Sequence, residues 1–172
     1  MSLVHSLPYA WPYHGAVCPR HTALVVCRDG IVPSDEPGLV QLQAVVTKAR
    51  SLGVRVVHLP GTSVEPCLRV ETGDLVVSRN AYGGFTGTDL DLVLRTAGLT
   101  DLLFAGFPIE LGADSTMREA NDLGYECLLL ADCCSFLSHQ TREGSLSSIQ
   151  MSGGIFGVIA NAGAVVDALE RA

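Results

Sequence analysis

Short runs of consecutive apolar residues alternate along this chain with stretches in which apolar positions recur every three or four residues. The first run, residues 22–27, is apolar throughout, as a strand buried on both faces should be. Leu39, Leu42, Val45, Val46, Ala49 and Leu52 then fall at helical spacing, and Gly53 stands where that helix would stop. Residues 54–59, rich in valine, read as a second strand, ended by Pro60. Residues 61–73 are polar and irregular, and 75–78 read as a third strand. A glycine-rich stretch over 82–87 leads to Thr88, which with Asp91 resembles a capping box. Leu90, Val93 and Leu94 carry the next helix to Gly98. A fourth strand over 102–105 enters the turn Gly106-Phe107-Pro108-Ile109. Beyond it, Leu111, Met117, Ala120 and Leu123 mark a helix stopped at Gly124. A fifth strand over 125–131, a polar helix over 138–151, a sixth strand over 156–160 and a helix over 162–172 complete the chain.

Strands alternating with helices predict an α/β fold: a doubly wound, mainly parallel six-stranded sheet, Rossmann-like, with helices on both faces. Residues 1–172 read as one domain, with 1–20 as an extended lead over the body or a neighbouring subunit. In such sheets ligands bind outside the carboxyl ends of the strands. That rule selects Arg28 and Asp29, His58, Arg79, residues 107–112 and residues 132–134. Asp132 reads as a cap for a turn or helix.

Composition narrows the function. The 172 residues carry a net charge of −7 with 11 Lys and Arg, which argues against nucleic acid and against an anionic membrane surface. No apolar run reaches the roughly 20 residues needed to span a bilayer, and the first residues lack a secretory pattern. Six cysteines without a CxxC pair predict reduced, buried thiols in a cytoplasmic protein. His5, His14, His21 and His139 show no ligand spacing, and His58 reads as a core or rim histidine. No metal and no cofactor are expected. Gly83-Gly84 lacks the lysine of a phosphate loop.

Three stretches carry a resemblance: residues 83–106, from Gly-Gly-Phe-Thr-Gly-Thr-Asp-Leu to Phe-Ala-Gly; residues 115–134, beginning Ser-Thr-Met-Arg-Glu-Ala-Asn-Asp-Leu-Gly-Tyr; and residues 9–15. The chain resembles the isochorismatase-like hydrolases, in the cysteine hydrolase or amidohydrolase branch. The resemblance implies a family of nicotinamidases, ureide and biuret amidohydrolases, and isochorismatases. Its amidohydrolases use an Asp at the end of the first strand, a Lys after the third and a nucleophilic Cys at the helix after the fourth. An amide is a poor electrophile, so such a thiol must be deprotonated and the oxyanion held by backbone N–H groups. Carried over by position, the Asp falls on Arg28, with Asp29 one residue later, the Lys on Arg79 and the Cys on Gly112. The resemblance also implies a cis peptide at Phe107-Pro108.

Two readings stay open. In the first, the chain is a catalytically degenerate homologue, a pseudoenzyme that binds a small molecule or serves a structural role. Arg28 and Arg79 would then form a carboxylate receptor, or pair internally with Asp29 and Glu110. In the second it is an active non-thiol hydrolase of a small amide, ureide or vinyl ether. Asp29 or Glu110 would supply the acid or base, with the backbone N–H groups of Leu111, Gly112 and Ala113 as the oxyanion site and Phe107 and Pro108 beside them as substrate-binding residues. Cys27, Cys133 and Cys134 are alternative thiols, or packing. A homo-oligomer, dimer or tetramer, is expected.

Overall fold

A computed structural model describes residues 2–62 and 66–172, and its centre is a six-stranded sheet. The strands are β1 (Thr22–Arg28), β2 (Arg55–Pro60), β3 (Leu75–Val76), β4 (Asp101–Phe107), β5 (Glu126–Leu130) and β6 (Val158–Ala160). They lie in the order β3-β2-β1-β4-β5-β6, and all five pairings are parallel. β1 and β4, at the centre, are the most apolar runs of the sequence, and every residue of β4 is buried. Strands covered on both faces need that composition. The irregular stretch expected over 61–73 includes residues 63–65, which lie outside the described residues.

The helices are α1 (Pro37–Ser51), α2 (Leu90–Thr96), α3 (Asp114–Asp122), α4 (His139–Gln150) and α5 (Ala162–Glu170). The strand order reverses after β1, so right-handed crossovers set α1 on the face opposite α2, α3 and α4. α5 packs with α1. α1 stops where Gly53 adopts φ 87°, a conformation open to glycine. Asp132 Oδ1 accepts the N–H of Ala162 at 2.9 Å and so caps α5.

Two expectations need correction. The third strand ends at Val76 instead of residue 78, although the backbone stays against β2 through the N–H of Val77 to His58 O at 3.0 Å and of Arg79 to Pro60 O at 3.2 Å. The expected Thr88–Asp91 box does not form. Thr88 Oγ1 accepts the N–H of Leu90, but the Asp91 carboxylate is taken by Arg95 and the Tyr125 hydroxyl. A reciprocal box forms instead between Ser138 and Thr141 at the start of α4.

The lead runs along the free edge of β6. Leu7 and Ile159 exchange both backbone hydrogen bonds, at 2.9 and 2.8 Å, and Val4 and Trp11 are buried beneath it. An uncovered edge would offer unpaired N–H and C=O groups to other chains.

At the other side, Asp74 gathers three elements. Its carboxylate accepts from Arg50 of α1, from the Glu71 N–H at 3.0 Å and from His58 Nε2 of β2 at 2.8 Å. Burial alone would raise the Asp74 pKa, but these donors outweigh it and the net shift is downward. A carboxyl with a depressed folded pKa stabilises the fold above its unfolded pKa of about 3.9, and that contribution vanishes as pH falls through the folded value. Asp74→Asn should therefore cost about 3 kcal/mol at neutral pH, as breaking a buried ion pair does. The gap between the two melting curves should start to narrow as pH falls below about 4 and close once pH passes the depressed folded pKa; a gap that persists into strong acid would contradict this role.

Candidate active site

The carboxyl ends of β1 and β4 meet where the strand order reverses, the point at which open α/β sheets bind ligands. Asp29 follows β1 directly, held by its N–H to Phe107 O at 2.8 Å. β4 ends at Phe107, and the Phe107-Pro108 peptide is cis, as expected. The chain then makes one π-helical turn, Ile109–Ala113, before α3 begins. Such turns recur at functional sites. Ile109 N–H bonds to Ser135 O at 3.1 Å, which ties this turn to the end of β5.

Arg79 comes from the segment after β3 and is 1% exposed. Its guanidinium has five N–H donors, and five acceptors surround it. Nε donates to Leu59 O at 3.3 Å. Nη1 donates to Ala81 O at 2.8 Å and Tyr82 O at 3.0 Å. Nη2 donates to Arg28 O at 3.4 Å and to Asp29 Oδ2 at 2.5 Å. The same Asp29 oxygen accepts the N–H of Gly112 at 3.0 Å. Asp29, Arg79 and Gly112 thus form one closed cluster.

Gly112 leaves room for this cluster as it stands. A Cβ built at that position would lie less than 3 Å from both Arg79 Nη2 and Asp29 Oδ2, a distance that real side-chain carbons do not reach. The ion pair fills the space a side chain at 112 would need. Beside it opens a cleft of about 250 Å³ lined by Asp29, Gly61, Thr62, Arg79, Asn80, Ala81 and Tyr82. Among the described residues, Asp29 Oδ1 has no hydrogen-bond partner.

The other predicted residues take different places. Arg28 turns its Nε to Gly30 O at 3.0 Å, so Asp29, and not Arg28, carries its side chain to residues 79 and 112. Glu110 spends both oxygens on the N–H of Leu137, at 3.1 and 3.2 Å, and anchors that loop outside the cleft. It forms no ion pair with Arg28 or Arg79 among the described residues. Phe107 is fully buried and contributes its carbonyl, not its ring, while Pro108 and Leu111 are half-buried. Ala113 is buried, close against Gly106. The oxyanion frame expected from Leu111, Gly112 and Ala113 has its central N–H, that of Gly112, already bound to Asp29. Asn80, Thr62, Ala81 and Tyr82 line the cleft without having been selected from the sequence. Their position after β2 and β3 was the available signal.

The thiols are packing groups. Burial pushes Cys27 up to about 12, against a smaller opposing pull from Arg79, and its Sγ lies 3.9 Å from Thr116 Oγ1. Burial pushes Cys134 up to about 12 and raises Cys133 as well. Cys67, half-buried, rises to about 11 for the same reason. At neutral pH each of these is a thiol, whereas the nucleophile is the thiolate. Among the described residues no group of three or more His, Cys, Asp or Glu is placed to hold a metal ion. No helix among them is long and apolar enough to cross a membrane.

A parallel sheet with helices on both faces and an ionisable cluster at its switch point places the chain in the class of doubly wound α/β proteins. Within that class, residues 59–162, more than half of the chain, match the model of the isochorismatase domain, and the chain belongs to the isochorismatase family. It is 38% identical over 84 residues to the uncharacterized isochorismatase family protein YwoC of Bacillus subtilis, covering 49% of this chain and 44% of that one. It is 34% identical over 70 residues to the ureidoacrylate amidohydrolase RutB of Agrobacterium fabrum, covering 41% and 31%. The chain thus spans less than half the length of these curated relatives. A cysteine hydrolase structure from Pseudomonas syringae superimposes with a TM-score of 0.79 at 20% identity, covering 99% of this chain and 98% of that one, a likeness of fold.

The packing around residue 112 gives a direct test. Gly112→Ala should cost about 1–3 kcal/mol, the scale of overpacking a filled interior. That cost should shrink in an Arg79→Ala background, because the obstructing guanidinium is gone. Urea midpoints of the four proteins measure the coupling, and strict additivity would refute the contact.

Proposed function

We propose that this chain is a catalytically degenerate member of the isochorismatase family, in which the Asp29–Arg79 pair stands where a nucleophile would act. The reading takes it as a cytoplasmic homo-oligomer that binds a small molecule or serves a structural role. The observation that carries it is the crowding at residue 112: with Asp29 and Arg79 placed as they are, a side chain there would have to displace both. The amidohydrolase name of one relative belongs to a protein of which this chain covers 31%.

The chemistry of the cleft favours one kind of ligand. All five donors of Arg79 are taken, so it has no N–H left for an added carboxylate. Asp29 lines the cleft, and its Oδ1 accepts no hydrogen bond among the described residues. A neutral N–H donor, such as a carboxamide or ureide, complements that oxygen better than an anion does. The same oxygen favours the second reading, a non-thiol hydrolase in which Asp29 acts as base. Glu110 has no part in it, being committed to Leu137.

Thermal-shift titration tests the binding role. A carboxamide or ureide at about 100 times its Kd should stabilise the fold by about 2.7 kcal/mol, and Asp29→Asn should remove the shift. Small carboxylates should give none. A carboxylate shift abolished by Arg28→Ala would overturn the ligand assignment and restore an anion receptor.

A further inference from the structure

Arg79 keeps its orientation through two carbonyls of the glycine-rich loop, Ala81 O and Tyr82 O. The loop continues through Gly83 and Gly84, residues with wide backbone freedom. Thr88 donates its hydroxyl to Gly84 O at 2.5 Å, which curls the loop on itself but ties it to no other element. The tie to α3 is Glu119. Its Oε2 accepts the Phe85 N–H at 2.8 Å and its Oε1 accepts the Thr86 hydroxyl at 2.5 Å. The fit is close: a Cβ at Gly83 would strike the Glu119 carboxylate, and one at Gly84 would come within 3 Å of Leu59 and Thr116. Glu119 itself neither lines the cleft nor touches Asp29 or Gly112.

We propose that Glu119 is a positioning residue: it clamps the 81–86 loop onto α3 and thereby holds the Arg79 guanidinium against Asp29 and Gly112. A carboxylate accepting two donors makes stronger bonds than neutral pairs, and it meets the loop where the two glycines leave it least constrained. Two of the five acceptors around Arg79 belong to this loop, so releasing it frees both donors of Nη1. The inference rests on the Asp29–Arg79 pair closing the site, as proposed above.

The guanidinium of Arg79 reports the effect directly by NMR. Its Nε–H resonance is identified by its loss in Arg79→Lys, and in the wild-type protein it should exchange slowly with solvent. Glu119→Ala should speed that exchange about tenfold or more, the scale of losing one hydrogen bond to a charged group. The amides of Leu103 and Phe104 in β4 should keep their protection. Glu119→Gln, whose amide can accept from Phe85 and donate to Thr86, should restore most of the slow exchange. If Glu119→Ala does not fold, Glu119→Asp, one methylene short of both donors, should show the same gain. Wild-type exchange at Arg79 in the folded variant, whatever its melting temperature, would overturn the positioning role. Fast exchange already in the wild-type protein would overturn the ion-pair reading on which it stands.

Discussion

The ion pair between Arg79 and Asp29 is the constraint around which the carboxyl end of the sheet is organised. A guanidinium 1% exposed is tolerable only if its charge is balanced and its donors are satisfied. Both conditions are met at once: one carboxylate oxygen and four backbone carbonyls take all five N–H groups. Those carbonyls come from β1, β2 and the loop after residue 79, so a single side chain draws three segments together. The demand propagates to Gly112, whose missing side chain makes room for the pair and whose N–H completes the coordination of Asp29. The donors of Arg79 are all satisfied within the protein, while Asp29 keeps one oxygen, Oδ1, outside these bonds.

The surrounding fold supplies the rigidity this arrangement needs. β1 and β4 are buried along their length and paired in register through Arg28 and Phe107, which fixes Asp29 relative to the turn that carries Gly112. Glu110, within that turn, is drawn outward to Leu137 and secures the neighbouring loop instead of entering the cleft. Asp74 gathers α1, β2 and the end of the β2–β3 connection, whose beginning at Gly61 and Thr62 forms one wall of the cleft. Stability and site geometry are therefore carried by overlapping polar networks, and each is closed by backbone groups as much as by side chains.

Much of the fold could be read from the sequence because parallel strands buried on both faces leave unbroken apolar runs, as over residues 22–27 and 102–105. The helices were equally plain where apolar spacing ended at Gly53, Gly98 or Gly124. The third strand was read two residues too long. Val77 is apolar and still bonds to β2, so nothing in the sequence marks the end at Val76, and Arg79 looks like a surface charge until its acceptors are known. The candidate site was legible as a list of residues at strand ends but not as an arrangement. Spacing placed Arg28 at the family's aspartate position, whereas the direction in which the chain leaves β1 brings Asp29 to the cluster. For Arg79 the sequence leaves open an anion receptor or an internal pair with Asp29; the structure shows the pair, and the carbonyl oxygens that complete its coordination, which every residue carries, leave no mark in the sequence. Gly112 was noticed as a missing nucleophile; that it is also a packing requirement follows from coordinates alone.

The most direct test of this account is turnover by the purified chain. Carboxamides and ureides would be incubated at millimolar concentration and ammonia release followed beside an Asp29→Asn control. The account predicts no release above that control, since the space for a nucleophile is occupied and the buried thiols are protonated. Release by the wild-type protein that disappears with Asp29→Asn would contradict it, and would identify Asp29 as the base of a working hydrolase.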